Sequence, residues 1–441
     1  MAKQNNSDMD ANYSDINRFK AKVNKFSGII SKDMKKPQKK FVRQIIYGIQ
    51  CCKDVKISNI SRCLKESIKL IKTENRLCNH LRDNDFTEKI NHEILRLGKE
   101  KITNDMVISI DPGDIQKPYA KAMENLCGIY DASQKEKARG YHMCQVTGAN
   151  LEHNKIVPLY CESYSTKEPG YVSLTKKIKD VILLVTKYIA NKGVWAIDRA
   201  GDSNELISFF AEKELKFVTR LKLNRWVIFN NRKGKKMQTQ TERLGNYIDL
   251  PFKARITRID QGKETEIELQ YGITQVSFKD IPGQNFYAVV IKGFGEKPMI
   301  LLTNLQVDIK NPNDVYAVIE RYLTRWKCDE CFRYIKQSYN LEDVRLLSYN
   351  GVRNMTVFVH AIAYFTSIWI GLDLKMKLIK EKIFILSKRF FGVPSFYNYA
   401  IADGIYELLK YTRTGIDNIK TRIGIKLDSF QLSLFPGLDP I

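Results

Sequence analysis

The sequence lacks the features that mark several classes of protein. Glycine and proline are not enriched, with 24 and 12 among 441 residues, which excludes collagen-like and low-complexity chains. The nine cysteines do not form the evenly spaced framework of a small secreted domain, and this indicates a reducing environment. Residues 1–15 are polar and contain no apolar segment of a secretory signal, so we expect a cytoplasmic protein.

Long hydrophobic runs are also scarce. Met355–Leu372 carries no formal charge and approaches the length of a membrane span. This stretch contains His360, Thr366 and Ser367 and stands alone in the sequence. We therefore predict a buried helix here and no membrane partner.

Histidine and cysteine do not indicate a metal site. The five histidines are scattered along the chain. Cys328 and Cys331 have the spacing of a metal-binding pair, but no second pair follows at zinc-finger distance. We do not expect these cysteines to bind zinc.

Acidic residues are in deficit, with 49 Asp and Glu against 72 Lys and Arg and a net charge of +23. Such an excess favours nucleic acid as a partner, because many dispersed cations can neutralise phosphates. Residues 1–104 have apolar residues at helical spacing and predict a helical DNA-binding domain. The alternative is that their charges form the solvated face of a helical bundle. The basic residues concerned are Lys35, Lys36, Lys39, Lys40, Arg43, Arg62, Lys65, Lys69, Lys72 and Arg76.

From residue 105 onward, the sequence changes to short apolar runs that end in turn residues, as strands do. The predicted order of elements over 105–220 is three strands, a helix, a strand, a helix and a strand. This order predicts a ribonuclease-H-like α/β core, in which the first and fourth strands are neighbours. Alternating apolar and polar residues predict a β-rich insertion over 221–297. The core elements are predicted at Met106–Ile110, Tyr141–Val146, Ile156–Tyr160, Leu174–Ala190, Val194–Ile197, Asn204–Glu214 and Phe217–Arg220.

The predicted core resumes over 298–340. It contains a further strand and then a long helix, which Asn311 and Pro312 should start and which should end near Ser338. Residues 341–441 are predicted to form a helical C-terminal region with a polar tail.

Two aspartates follow predicted strands directly. Asp111 comes after Val107–Ile110, and Asp198 comes after Val194–Ile197. Each alone is more often a turn or helix-cap residue. On neighbouring parallel strands, however, both would leave the carboxyl edge of the sheet, where α/β sites assemble. Together they could share a divalent metal.

The predicted long helix carries a more specific pattern. Tyr322, Arg325 and Lys336 have the spacings of a Tyr-x2-Arg-x3-Glu-x6-Lys motif, and residues 198–202 read Asp-Arg-Ala-Gly-Asp. In these motifs and in the position of Asp111, the chain resembles the insertion-sequence-four group of DDE transposases over roughly residues 105–350. The Glu position of that family is occupied by Asp329, with Glu330 next to it.

The resemblance implies a DNA transposase that cleaves and rejoins strands at the ends of an insertion sequence. Its site would use two Mg²⁺ ions, for which Mn²⁺ could substitute, held by Asp111, Asp198 and a helix carboxylate. Its partners would be element-end and target double-stranded DNA, bound by a homodimer in a prokaryotic, nucleoid-associated setting. The residues expected to contact DNA are Tyr322, Arg325, Arg333 and Lys336. An inactive DNA-binding relative and a ribonuclease-H-like nuclease are the alternatives.

Helical geometry favours Asp329 over Glu330 as the third acid. At about 100° per residue, Asp329 shares a narrow stripe with Tyr322, Arg325 and Lys336, whereas Glu330 lies on the flank. The longer side chain of Glu330 and the family's use of Glu favour the other choice. We expect Asp329 to be the ligand and Glu330 to form a salt bridge or a supporting contact.

Overall fold

The computed structural model describes residues 2–131, 135–153, 155–260, 263–371, 383, 385–387, 397–410 and 412–417. Within these ranges the chain is a mixed α/β protein whose helices pack on one large mixed sheet. No helix of the described ranges is long and apolar enough to cross a membrane. The predicted polar tail lies outside the described residues.

Within the described residues, helices precede the first strand and follow the last one, and further helices separate some of the central strands. In chain order they are α1 (Ala2–Ile30), α2 (Lys36–Cys52), α3 (Ile57–Leu64), α4 (Leu70–Asp83), α5 (Thr87–Gly98), α6 (Leu174–Ile189), α7 (Asn204–Glu212), α8 (Thr241–Leu244), α9 (Pro312–Thr324), α10 (Trp326–Ser338), α11 (Tyr349–Ser367) and α12 (Asn398–Leu409).

The sheet has twelve strands, in the spatial order β2-β3-β1-β5-β6-β12-β11-β10-β7-β8, with β4 on β3 and β9 on β10. The strands are β1 (Val107–Gln116), β2 (Cys127–Asp131), β3 (Glu136–Ala149), β4 (Ile156–Tyr164), β5 (Val194–Ile197), β6 (Phe217–Arg220), β7 (Trp226–Asn230), β8 (Lys236–Gln240), β9 (Phe252–Asp260), β10 (Lys263–Phe278), β11 (Ile281–Lys292) and β12 (Met299–Thr303).

The prediction that the first and fourth core strands are adjacent is confirmed, because β1 and β5 pair in parallel. The bounds predicted for β5 and β6 are those observed. Helix α6 begins where predicted because the Ser173 side chain accepts a hydrogen bond from the Lys176 N–H. Its buried apolar residues follow helical spacing, and they are Ile178, Val181, Ile182, Val185 and Ile189.

Residues 221–297, predicted to form a β-rich insertion, contain β7 to β11. These strands do not form a separate sheet. Strand β11 pairs with β12, and β12 pairs with β6. The insertion is therefore hydrogen bonded into the same sheet as the core.

The long helix predicted to begin at Asn311 and end near Ser338 is instead two consecutive helices, α9 and α10. Asn311 caps α9 as predicted, and its side chain accepts a hydrogen bond from the Asn313 N–H. At Arg325 the backbone stays right-handed, but the Cys328 N–H donates to the Arg325 carbonyl oxygen, three residues back. No proline or glycine marks this tight turn, so periodicity alone could not predict it.

The N-terminal helices share an apolar core with α11. Phe41 stacks on Phe86 with a ring-centroid distance of 5.2 Å and meets the edge of Phe358 at 5.6 Å. The Asn354 side chain accepts a hydrogen bond from the Phe86 N–H at 2.8 Å and donates to the Leu81 carbonyl oxygen at 2.8 Å. The core therefore crosses the predicted limits at residues 104 and 341. The expected burial of the uncharged stretch is confirmed for the part within α11.

We predict that Phe41→Ala lowers the free energy of unfolding of the whole chain by about 3–5 kcal/mol, because it leaves a cavity between α2 and α11. Lys39→Ala, on an exposed position of the same helix, should change it by less than about 0.5 kcal/mol. Urea denaturation of the full chain measures both values. Equal effects of the two substitutions would contradict the shared core.

Candidate active site at the β1, β5 and α10 carboxylates

Strand β1 continues beyond the end of its parallel neighbour. Its pairing with β5 stops at Ser109 and Ala196, whereas its antiparallel pairing with β3 includes Asp111 opposite Gln145. Asp111 therefore lies two residues past the last β1–β5 pair. This places the aspartate at the open edge beside β5 while β3 still holds its backbone.

The predicted end of this strand at Ile110 is wrong. The strand includes Pro112 and reaches Gln116, although Asp-Pro-Gly is typical of a turn. Proline is tolerated because β1 has a neighbour on only one side at this position, and an edge does not require every N–H.

Asp198 follows β5 directly, as predicted. Its side chain accepts a hydrogen bond from the Ala200 N–H at 2.8 Å and so caps a short 3-10 turn. The Thr219 hydroxyl, on β6, donates to its main-chain oxygen at 3.0 Å. Because β1 and β5 are parallel neighbours, Asp198 and Asp111 leave the same edge of the sheet.

Close contacts position α10 against β1. A methyl group at Gly113 would lie 2.3 Å from the Phe332 ring, so glycine is required where the helix crosses the strand. The buried Cys328 thiol lies 3.7 Å from the main-chain oxygen of Ser109. These two contacts flank Asp329 along α10 and bring it to Asp111.

Asp111, Arg325 and Asp329 form one charged cluster. Arg325 Nη1 lies 3.1 Å from Asp329 Oδ2 and 3.8 Å from Asp111 Oδ1. The side chains of Arg325, Asp111 and Asp329 are only 9%, 17% and 25% exposed. The two carboxyl groups are also within hydrogen-bonding reach of each other. A cation thus lies between two acids that are mostly withdrawn from water.

The electrostatics of Asp111 follow from this packing. Burial raises the pKa of Asp111 well above its usual range, and the nearby Asp329 carboxylate raises it further. The Arg325 guanidinium opposes this increase in pKa, whereas the charge of Asp198 adds to it. Asp111 therefore holds its proton more tightly than an exposed aspartate does.

Glu330 lies outside this cluster. Its carboxylate pairs with Lys327 Nζ at 2.8 Å, within the same helix. The structure thus gives Asp329 the contacts with Arg325 and Asp111 that helical phase predicted, and gives Glu330 the expected salt bridge. Participation of either residue in catalysis stays a prediction.

The four residues predicted to contact DNA differ in their surroundings. Tyr322 is 5% exposed, and burial raises the pKa of its phenol, which is hydrogen bonded to Arg220. Arg325 is occupied by the two acids described above. Arg333 is exposed, with no ion pair inside the described ranges. These positions bring Tyr322 and Arg325 to the carboxylates and leave Arg333 on the surface.

Lys336 lies at the far end of the same face. Its Nζ is 3.5 Å from Asp114 Oδ1 and 3.0 Å from Glu342 Oε1, and it lies 5.1 Å from the centroid of the Phe332 ring. It therefore extends the charged surface of α10 along β1.

Sequence reasoning missed other charged residues near the site. Arg220 ends β6 as Asp198 follows β5, so the strand-end rule could have identified it. Asp202 is buried and pairs with Arg225 Nη1 at 2.8 Å, and it accepts a hydrogen bond from the Lys222 N–H at 2.6 Å. No local pattern predicts that pair, because the partners meet only when the loops after β5 and β6 pack.

The cluster has the chemistry of a site for a hard divalent cation. Burial raises the pKa of Asp111, and the buried Asp329 Oδ2 lies 3.1 Å from Arg325 Nη1. A divalent cation would stabilise the charged form of Asp111, since Mg²⁺ prefers carboxylate oxygens. Across the described ranges, however, no three His, Cys, Asp or Glu side chains are grouped so that they could hold a metal ion. Asp198 acts on this pair through its charge, which raises the pKa of Asp111.

Cys328 and Cys331 are packing residues. Both are fully buried, and burial raises the pKa of both thiols. Neutral buried thiols of this kind behave as small apolar groups rather than as metal ligands.

Comparison with known proteins adds little to this picture. No protein-family model matches the chain, and no curated protein matches it. Among solved structures, it is similar to a cryo-EM structure of the piggyBac transposase synaptic complex with hairpin DNA. The two chains are 11% identical with a TM-score of 0.41, over 94% of this chain and 86% of the other. With a TM-score under 0.5 the likeness is distant, and the function has to be inferred from the residues of the chain itself.

We predict that Asp329→Asn weakens the pH dependence of stability. The native wild type retains a proton on Asp111 that the unfolded chain has lost, so its free energy of unfolding falls as pH rises from about 4 towards the raised pKa. Removing the neighbouring charge lowers that pKa. The decrease in unfolding free energy up to pH 7 should therefore become smaller by about 1.4 kcal/mol for each unit by which the pKa falls.

Urea denaturation at several pH values, with a chelator present, measures this change. Glu330→Gln is the matched control, since its partner is Lys327, and it should keep the wild-type slope. Identical slopes for wild type and Asp329→Asn would show that the two carboxyl groups do not interact.

Proposed function

We propose that this chain is a DDE transposase that cleaves DNA at the ends of an insertion sequence and joins them to target DNA. The observation that carries the proposal is the approach of Asp329, on α10, to Asp111, on β1, with Arg325 between them. Carboxylates brought together from a strand and a helix supply the oxygen ligands that metal-dependent phosphoryl transfer uses.

The strand order supports the finer assignment of a ribonuclease-H-like core. In the spatial strand order β4-β3-β1-β5-β6, β3 runs antiparallel to β1, whereas β5 and β6 run parallel to β1. Asp111 and Asp198 come from the two central strands of this group. The resemblance of the helix motif to the insertion-sequence-four group agrees with this arrangement.

Asp111 and Asp329 would hold Mg²⁺, with Asp198 as the third carboxylate. When bound, Mg²⁺ would activate the attacking water or 3′-hydroxyl and stabilise charge on the leaving oxygen. Arg325 would then be released from its present pairing with the acids and would be available to a phosphate, for which its planar fork is suited. Lys336 and Arg333 would continue this contact along the DNA backbone.

The remaining parts of the proposal concern partners. The net charge of +23 supports binding of element ends and target DNA. The exposed basic residues of α2 to α4 support a DNA-binding role for the N-terminal helices. A homodimer would bring two element ends together in a prokaryotic cytoplasm, in association with the nucleoid.

One assay distinguishes a transposase from an inactive DNA-binding relative and from a nuclease without joining activity. DNA flanking the gene supplies the candidate inverted repeats. Incubation of the full chain with a donor carrying those ends and a target plasmid, with Mg²⁺, should give cleaved and joined products. Binding alone would indicate the inactive relative, and cleavage without joining would indicate the nuclease.

In this assay we predict that Asp111→Asn, Asp198→Asn and Asp329→Asn each reduce cleavage by at least about 100-fold, because each removes charge stabilisation at the reacting phosphate. Glu330→Gln should reduce it only modestly. Retained DNA binding, measured in parallel, shows that each variant is folded. A larger loss of cleavage activity for Glu330→Gln than for Asp329→Asn would indicate that Glu330, rather than Asp329, is the third metal ligand.

We also predict that Mg²⁺ stabilises the DNA-free protein. At a concentration about 100 times its dissociation constant, the free energy of unfolding should rise by about 2.7 kcal/mol. Asp111→Asn should abolish the increase and Glu330→Gln should keep it, as measured by urea denaturation with and without Mg²⁺. An equal increase in all three proteins would assign the ion to another site.

A further inference from the structure

Three cysteine thiols from α2 and α3 lie close together, outside the carboxylate site. Cys51 and Cys52 end α2, and Cys63 lies one residue before the end of α3. The side chain of Cys63 lies within interaction distance of both of the other thiols. The helices approach closely at Gly48, where a methyl group would lie 2.5 Å from Ile60.

The three thiols are not equivalent. Hydrogen bonds from Cys51 and Cys52 lower the pKa of Cys63, and Lys65 lowers it further, against the effect of burial. The hydrogen bond to Cys63 raises the pKa of both partners. Cys63 differs from its partners in that Lys65 lies near it and lowers the pKa of its thiol.

The groups around the partners complete the cluster. Lys20 and Tyr47 lie near Cys51. The Cys52 thiol also lies 3.1 Å from the Gly48 carbonyl oxygen and 3.4 Å from that of Asp54. Cys51 is 8% exposed, whereas Cys52 and Cys63 are partly exposed. A small reagent can thus reach Cys63 from solvent while both partner thiols lie beside it.

We propose that Cys63, a partly exposed thiol beside two other thiols and between two exposed cations, is redox-reactive and attacks low-molecular-weight disulfides, and that Cys51 or Cys52 then closes an intramolecular disulfide with it. In the first step the Cys63 sulfur bonds to one sulfur of the reagent, whose S–S bond breaks and releases one small thiolate. In the second step the partner thiol gives up its proton, attacks the Cys63 sulfur and releases the second small thiol. Two protein thiols are oxidised and one small disulfide is reduced to two thiols.

The new bond would tie α3 to α2 beside two exposed cations. Arg62 and Lys65 flank Cys63 and are both exposed. They are among the basic residues through which the N-terminal helices are proposed to bind DNA. The reaction depends only on the thiol cluster, so it stands or falls separately from the carboxylate chemistry.

A dipyridyl disulfide tests the proposal on the full chain, because each step releases one coloured pyridinethione. At pH 5, Cys63 should react at least about tenfold faster than Cys78. Cys78 is the matched control, since it is partly exposed on α4 and burial raises the pKa of its thiol. Peptide mapping assigns each product and separates Cys63 from Cys127, whose pKa is also lowered but which is only 2% exposed.

The expected result is a rapid release of two pyridinethiones per chain and a mapped Cys63 disulfide to Cys51 or Cys52. Cys63→Ser should remove this rapid phase and Cys78→Ser should keep it, while Cys51→Ser and Cys52→Ser identify the resolving thiol. Three results would overturn the proposal in the wild type itself: equal rates at Cys63 and Cys78, a mixed disulfide that is never resolved, or a disulfide between two chains.

Discussion

The Arg325 guanidinium between Asp111 and Asp329 is the interaction on which the candidate site depends. Two acids that approach this closely away from water repel each other when both are ionised. A cation between them compensates that repulsion, and the tight turn between α9 and α10 occurs at the same arginine. The absence of a side chain at Gly113 lets Phe332 hold the helix close enough for the contact. Local backbone geometry, packing and charge thus converge on one residue.

The sheet extends beyond the core strands through β12. Strand β12 pairs with β6 on one side and with β11 on the other. The inserted strands therefore continue the hydrogen-bonded ladder that contains Asp198 on β5 and Arg220 on β6. A displacement of β11 would act on the site through paired backbone rather than through a flexible linker.

The sequence predicted the parts that depend on local pattern. Strands β5 and β6, the cap at Asn311 and the adjacency of β1 and β5 follow from apolar runs and capping residues. Helical phase predicted that Asp329 rather than Glu330 lies with Arg325. The continuation of β1 through Pro112 depends on β5 ending first, which is a property of the sheet. The break at Arg325 and the meeting of Cys63 with Cys51 arise from tertiary packing, which no local pattern contains.

The shared core of the two chain ends has a consequence for synthesis. Phe41 needs Phe358 as a neighbour, and the buried Lys20 ammonium donates to the main-chain oxygen of Thr414 at 2.7 Å. A ribosome makes the N-terminal helices long before it makes these partners. The N-terminal helices must therefore leave the exit tunnel with an apolar face still uncovered, and they complete their packing only after α11 and Thr414 have been synthesised. Such long-range closure favours slow folding and makes the nascent chain a natural client for chaperones that cover exposed apolar surface.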